Sequence, residues 1–177
     1  MSFERIGSEE IWSGRIARVR VGHFRYDDGD VVDREIVSHP GAVAVVAHDG
    51  EYLWLVKQPR EPVGDYLLEL PAGKLDEEGE DPLATAKREL AEEIGKGAKK
   101  WVHLTTFWAS PGFSDEQIHV YLATDLYDEQ AHTDEIERIE IVKVPLSDLD
   151  DTIRSNIDAK TLVGLLWFRA FGDGSAA

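Results

Sequence analysis

Residues 73–95 read GKLDEEGEDPLATAKRELAEEIG, and the second half of this stretch carries the signals of an amphipathic helix. Asp81 can accept backbone hydrogen bonds as the N-cap, Pro82 suits the first helical position, and Gly95 suits the C-terminal stop. An apolar stripe recurs between these ends at steps of three and four residues, formed by Leu83, Ala86, Leu90 and Ile94. The pattern predicts a helix over residues 82–94 with one face in the core.

Three glutamates lie close together on this predicted helix. At about 100° per residue, Glu89 and Glu93 share one flank of the apolar stripe, and Glu92 lies one step further round. Like-charged pairs at these spacings cost roughly a few tenths of a kcal/mol each, so a solvated acidic face is one interpretation. The other is a site for a divalent cation, because magnesium is usually held by one or two carboxylates together with substrate phosphates. The helix alone leaves both interpretations open.

Strand signals occupy most of the remaining chain, as apolar–polar alternation or as short apolar runs bounded by turn residues. We predict strands within 11–38, interrupted by the turn DDGD at 27–30, and further strands at 42–47, 52–57, 101–109, 118–126 and 139–146. Helices at 147–156 and 158–171 follow the last strand. A mixed sheet with helices packed on it, an α/β (α+β) fold, is the expected outcome.

The composition excludes several classes of partner. The formal charge is −16, from 35 acidic and 19 basic residues, which argues against a nucleic-acid protein but not against a small phosphorylated ligand bound with a cation. The chain has no cysteine, so disulfides and thiolate metal sites are impossible. We expect no membrane association and a cytoplasmic location, because no apolar run reaches a spanning length and the N-terminal residues lack a signal-peptide pattern.

The stretch from Glu80 onwards resembles the signature of the Nudix family, the Nudix box, which reads G-x5-E-x7-R-E-U-x-E-E-x-G-U, where U is aliphatic. Seven residues separate Glu80 from Arg88, and the sequence RELAEEIG follows with the required spacing. The chain departs from the signature twice: six residues, not five, separate Gly73 from Glu80, and Lys96 takes the final aliphatic position. The resemblance implies a Nudix α/β/α sandwich over 39–177, preceded by an antiparallel strand segment over 1–38.

The same resemblance assigns roles to the residues of the box. It implies that Glu89 and Glu93 are the main metal ligands and that Glu92 shares a second or third ion. The family often adds a backbone carbonyl from the residue before the box glycine, which is Ala72 here. The implied metal is Mg²⁺, with Mn²⁺ as an alternative. Glu80 and Arg88 would orient the ligands, since arginine has no acceptor to offer a cation.

Other segments resemble the ADP-ribose pyrophosphatases within the family. They are DREIVSHPGAVAVV (33–46), KQPREPVGDYLLELPAGKLD (57–76), SPGFSDE (110–116) and DEIERIEIVKVP (134–145). This similarity implies hydrolysis of ADP-ribose to AMP and ribose 5-phosphate. Two alternatives remain: hydrolysis of another nucleoside-diphosphate compound, such as a GDP-sugar or NADH, and a sensor that binds ADP-ribose without turnover.

Five residues in these segments are candidates for substrate binding: Arg34, Glu35, Arg60, Ser110 and Glu116. Arg34 and Arg60 are fixed cations suited to phosphate groups, although either could instead form a surface salt bridge with Glu35 or Glu61. Ser110 and Glu116 could hydrogen-bond ribose or phosphate, but Ser-Pro-Gly is also an ordinary turn sequence.

The resemblance also implies a catalytic base and an assembly. Related enzymes place a mobile glutamate in an acidic loop, residues 134–137 here, where Glu135 and Glu137 both qualify. By this resemblance Glu135 is the base and Glu137 an auxiliary ligand, with the swapped assignment as the alternative. Related enzymes also exchange N-terminal strands between two subunits. A homodimer is therefore expected, in which Arg34 and Glu35 reach the active site of the other subunit.

Overall fold

A computed structural model describes residues 2–75, 81–130 and 138–172 of the chain. Its contacts group into two compact units: Met1–Gly41 with Trp108–Gln117, and Ala42–Phe107 with Ile118–Ala177. The first unit thus includes an internal segment besides the N-terminal residues. The domain division after residue 38 stays a prediction.

The first unit is built on a three-stranded antiparallel sheet of β1 (Phe3–Ser13), β2 (Arg18–Tyr26) and β3 (Val31–Ser38), in that order. The predicted turn at 27–30 joins β2 to β3, with Gly29 at a φ of 94° that suits glycine. The segment 108–117 lies beside β3, because Val37 N–H donates to the carbonyl of Phe113 at 2.8 Å.

The second unit contains a seven-stranded mixed sheet. Its strands are β4 (Ala42–His48), β5 (Tyr52–Arg60), β6 (Asp65–Glu69), β7 (Ala72–Lys74), β8 (Lys96–Trp108), β9 (Gln117–Asp128) and β10 (Glu140–Pro145). The order is β10-β5-β4-β9-β8, with β6 paired to β5 and β7 paired to β4. Strands β4 and β9 are parallel, which makes the sheet mixed.

Among its described residues the second unit also has three α-helices: α1 (Pro82–Ile94), α2 (Leu149–Ser155) and α3 (Ala159–Phe171). Strand β4 separates two of them, because successive side chains of a strand point to opposite faces. Val43 and Val45 share a buried cluster with Leu90 of α1. Val46 lies instead beside Gly164 of α3: a Cβ added at Gly164 would be 3.2 Å from the Val46 side chain. Helices therefore cover both faces, and the predicted sandwich is confirmed.

The helix predicted over 82–94 is confirmed with the same bounds, whereas other bounds differ. Strand β1 begins at Phe3, well before the predicted strand region, and β8 begins at Lys96 instead of residue 101. The helix predicted over 147–156 starts as a 3₁₀ turn, Leu146–Asp148, before α2. None of the helices in the described residues has the length and hydrophobicity needed to cross a bilayer.

Candidate active site

Both ends of α1 are fixed by the residues that the sequence indicated. The Asp81 carboxylate accepts the N–H of Leu83 at 3.1 Å. Gly95 adopts a left-handed conformation with a φ of 65°, and its N–H donates to the carbonyl of Ala91 at 3.0 Å. These caps set the start and the end of the helix, and therefore the direction in which its glutamates point.

Strand β7 lies against the acidic flank of α1. Val43 pairs with Gly73 and Ala44 with Ala72, so β4 holds β7 in register. The N–H of Ala72 donates to Oε2 of Glu93 at 2.9 Å. A Cβ at Gly73 would lie 1.9 Å from both Cδ and Oε1 of Glu89, so a larger residue would displace this carboxylate.

Arg88 bridges two of the three helix glutamates. Its Nη1 donates to Oε1 of Glu89 at 2.9 Å and to Oε2 of Glu92 at 3.1 Å. The three side chains are partly buried, and the guanidinium offsets the repulsion between the carboxylates. Within the structure, α1 is therefore not simply a solvated acidic face.

The chemistry of this cluster fits a hard divalent cation. Glu89 and Glu93 bring carboxylate oxygens to the β7 backbone, and the missing Cβ of Gly73 leaves room for one of them. As the side chains lie, no three acidic or histidine residues among those described already form a metal-binding group. A Glu89 oxygen accepts a hydrogen bond from Arg88, and a Glu93 oxygen accepts one from the Ala72 N–H. A bound ion would replace these donors as the partner of the two carboxylates.

Arg60, at the end of β5, pairs with Glu69, not with Glu35 or Glu61. Its Nε and Nη2 donate to the two oxygens of Glu69 at 2.7 and 2.6 Å. Lys160 also donates to the Glu69 carboxylate. Burial by itself would raise the pKa of Glu69, but the hydrogen bonds from Arg60 and the charge of Lys160 lower it.

The same pair raises the pKa of Arg60. The hydrogen bonds that Arg60 donates to Glu69 are the main cause of this rise in pKa, and the charge of Glu93 adds to it. The sequence interpretation missed Glu69. A signal was present, because Glu69 follows Leu67 by two positions and so takes an inward position of β6, where an acidic residue needs a cationic partner.

The remaining described candidates lie in the first unit. Arg34 and Glu35 are exposed on β3, and Nη1 of Arg34 donates to the carbonyl of Asp33 at 2.8 Å. The carbonyl of Ser110 accepts the N–H of Ser114 at 2.9 Å, which is turn geometry. Glu116 Oε1 lies 3.4 Å from Nδ1 of His39.

Asp115 organises this unit and was not among the predicted site residues. Its carboxylate accepts Nη2 of Arg20 at 2.7 Å, the hydroxyl of Ser38 at 3.0 Å and the N–H of His39 at 2.9 Å. It thereby holds the turn that carries Ser110 and Glu116 against β3. These partners are distant in sequence, so no local pattern pointed to them. The predicted residues Glu80, Glu135 and Glu137 lie outside the described residues.

A sheet between two layers of helices, with an acidic helix flank against a glycine-containing strand, defines an α/β/α protein with a carboxylate-rich site. The NUDIX domain model matches residues 38–163. The chain therefore belongs to the Nudix family of hydrolases. Members of this family generally need a divalent metal ion, usually Mg²⁺.

Several known proteins are similar to this chain over most of its length. It is 43% identical over 169 residues to the ADP-ribose pyrophosphatase of Bacillus subtilis, covering 93% of this chain and 91% of the relative. It is 39% identical, with the same coverage, to the methanol dehydrogenase activator of Bacillus methanolicus. A crystal structure of an ADP compounds hydrolase superposes with a TM-score of 0.83 at 23% identity, covering 98% of this chain and 97% of that one. The similarity to this crystal structure supports the fold described above.

Proposed function

We propose that this protein hydrolyses the pyrophosphate bond of ADP-ribose to give AMP and ribose 5-phosphate, with Mg²⁺ as cofactor. The observation that carries the proposal is the approach of Glu89 and Glu93 to the backbone of β7 at Gly73 and Ala72. The similarity to a full-length relative called ADP-ribose pyrophosphatase selects the substrate within the family.

Glu89, Glu92 and Glu93, with the carbonyl of Ala72, would hold the metal; Mn²⁺ is the alternative ion. A bound divalent ion lowers the pKa of a coordinated water and neutralises charge on the phosphates. Arg88 keeps two of these carboxylates oriented through its bonds to Glu89 and Glu92. Glu80 has a similar orienting role in this proposal.

In this proposal the substrate would be bound by polar groups of three described residues. Arg60 supplies a fixed positive charge for the pyrophosphate, and its pairing with Glu69 restricts its rotation. Ser110 and Glu116 offer hydrogen bonds to ribose or phosphate. Either Glu135 or Glu137 accepts the proton of the attacking water, and the other assists as a ligand.

The active form in this proposal is a cytoplasmic homodimer with exchanged N-terminal strands. Large apolar side chains on the three-stranded sheet and its connecting segments support a covered surface. More than half of the residue surface is exposed in Phe3, Ile11, Trp12, Ile16 and Val31. Dimerisation would bring Arg34 and Glu35 to the site of the other subunit.

A substrate panel with product identification tests the proposal. ADP-ribose, other ADP-sugars, a GDP-sugar, NADH and NAD⁺ are compared by kcat/KM with Mg²⁺. We expect ADP-ribose to be preferred, with AMP as product. Glu89→Gln and Glu93→Gln should each reduce kcat by orders of magnitude while the circular dichroism spectrum stays unchanged.

Three results would contradict the proposal. A preference of about tenfold or more for another compound would change the substrate. Tight calorimetric binding of ADP-ribose without release of AMP would favour the sensor. Near wild-type activity of Glu93→Gln would remove the proposed metal site.

A further inference from the structure

Glu69 is a fully buried carboxylate at the end of β6, with 0% of its surface exposed. Arg60 donates two parallel hydrogen bonds to this carboxylate, and Lys160 donates one to one of the same oxygens. A buried charge is costly unless it is paired and hydrogen-bonded. Glu69 therefore has two cationic partners, and only Arg60 is a candidate for binding the substrate.

The backbone on both sides of Glu69 is tied to the start of α3. The Asn156 side-chain amide donates to the carbonyl of Leu68 at 2.8 Å. The N–H of Leu70 donates to the Thr161 hydroxyl at 2.9 Å. Because the residues before and after Glu69 are both anchored, its carboxylate is a rigid support for the guanidinium.

Lys160 supplies the second positive charge in this network. It also contacts Asp158 at 3.1 Å, but Asp158 caps α3 by accepting the N–H and hydroxyl of Thr161. The positive end of the helix dipole therefore stabilises Asp158. This leaves much of the charge of Lys160 to balance Glu69.

One edge of the Arg60 guanidinium is available to donate hydrogen bonds to a ligand. Its Nε and Nη2 bind Glu69, whereas Nη1 makes no hydrogen bond with the described part of the chain. The side chain is 40% exposed, so this edge is accessible to a ligand. Two N–H groups of a guanidinium held in one orientation suit phosphate oxygens.

We propose that Glu69 and Lys160 are positioning residues for the substrate, which act through Arg60 without contacting the ligand. Glu69 fixes the guanidinium with its Nη1 edge available for a pyrophosphate oxygen. Lys160 offsets the charge of Glu69, so that Arg60, Glu69 and Lys160 together keep a net positive charge that attracts the phosphates. This inference rests on the proposed function and extends its site to the first turn of α3.

Calorimetric binding of the α,β-methylene analogue of ADP-ribose, which resists hydrolysis, tests this inference. The proteins are the wild type, Arg60→Ala, Glu69→Gln, Lys160→Met and the double variant Arg60→Ala/Glu69→Gln. Lys100→Met is the matched control, because it breaks an exposed ion pair with Asp125. Thermal unfolding of each protein reports structural damage separately.

We expect Arg60→Ala and Glu69→Gln each to weaken binding about tenfold, and Lys160→Met about threefold, because charge-assisted bonds or charge balance are lost. In the Arg60→Ala background, Glu69→Gln should change binding by less than about twofold, since residues that act through one group are not additive. Lys160→Arg should restore binding, and Lys100→Met should bind like the wild type.

Two results would overturn the inference by different routes. If Arg60→Ala binds weakly but Glu69→Gln and Lys160→Met bind like the wild type, positioning is wrong and the proposed function stands. If the wild type neither binds the analogue nor hydrolyses ADP-ribose, the proposed function fails and the inference falls with it. Should Glu69→Gln fail to fold, Lys160→Met alone decides between weakened and unchanged binding.

Discussion

Gly73 is the residue at which strand β7 meets the Glu89 carboxylate. No side chain separates the strand backbone from the helix there, and a Cβ would overlap the carboxylate at 1.9 Å. The glycine is needed for this close approach. Gly164, on α3, also sits in a tight place, but its Cβ would meet Leu70 at 2.5 Å inside an apolar layer.

Replacement of these two glycines by alanine should separate catalysis from stability. Gly73→Ala displaces a proposed metal ligand, and a misplacement of about 1 Å can cost 100-fold in rate, so kcat should fall by about that factor. Gly164→Ala overpacks the core and should lower the free energy of unfolding by about 1–3 kcal/mol.

Activity per folded molecule and urea unfolding are measured for both glycine variants. Gly164→Ala should keep its kcat. A Gly73→Ala enzyme with wild-type kcat would show that Glu89 does not need its present position.

Lys96 explains how one departure from the family signature is tolerated. The aliphatic position of the signature is taken here by a long side chain whose Nζ lies 4.7 Å above the centre of the Trp54 ring. Its ammonium group also pairs with the exposed Asp128. The ammonium group therefore serves an aromatic and an acidic neighbour at once.

Among the helices and strands, the sequence predicted those whose ends are set by interactions between neighbouring residues. Helix α1 was predictable to the residue, because Asp81, Pro82 and Gly95 define its ends within the helix itself. Strand β1 was missed because exposed polar residues dominate it, and only its pairing with β2 makes it a strand. The inward position of Glu69 was predictable, but its partners were not, since Arg60 and Lys160 lie 9 and 91 residues away in sequence.

The N-cap of α1 gives a prediction for this element. Asp81→Ala removes the acceptor of the Leu83 N–H and should lower the free energy of unfolding by about 1 kcal/mol. Asp81→Asn keeps an acceptor and should stay close to the wild type. Chemical denaturation measures both variants. Equal stability of the alanine and asparagine variants would mean that the cap does not stabilise α1.

For the whole molecule, two partly buried histidines predict how stability depends on pH. Burial lowers the pKa of His48, and burial together with the charge of His103 lowers the pKa of His119, both from an ordinary value of 6.5. The unfolded chain therefore binds protons first as the pH falls. Stability should be full above pH 6.5 and decline below it, with a further decline below 4.5 as Glu69 is protonated.

Urea unfolding between about pH 7.5 and pH 5 measures this slope. His48→Asn should flatten it, because Asn can still accept the Gly50 N–H that His48 accepts at 3.2 Å. A free energy of unfolding that is constant over this range would contradict the burial of His48 and His119.

The exposed apolar side chains of the three-stranded sheet predict that the protein forms a dimer. If two chains cover the three-stranded sheet, the protein should sediment at twice its 19.8 kDa chain mass. Ile11→Ser with Ile16→Ser removes apolar surface from side chains that are 56% and 57% exposed, and should yield a monomer. Leu166→Ser, at an exposed position on α3, is the matched control and should leave the sedimenting mass unchanged.

The monomer should also hydrolyse ADP-ribose with a lower kcat/KM, because Arg34 and Glu35 would no longer reach the other subunit's site. Arg34→Ala in the dimer should reproduce this loss, since it removes the same cation without changing the assembly. A monomeric variant with full activity would separate the dimer from catalysis. A wild-type protein that sediments at the mass of one chain would show that the exposed side chains on the sheet do not mediate self-association.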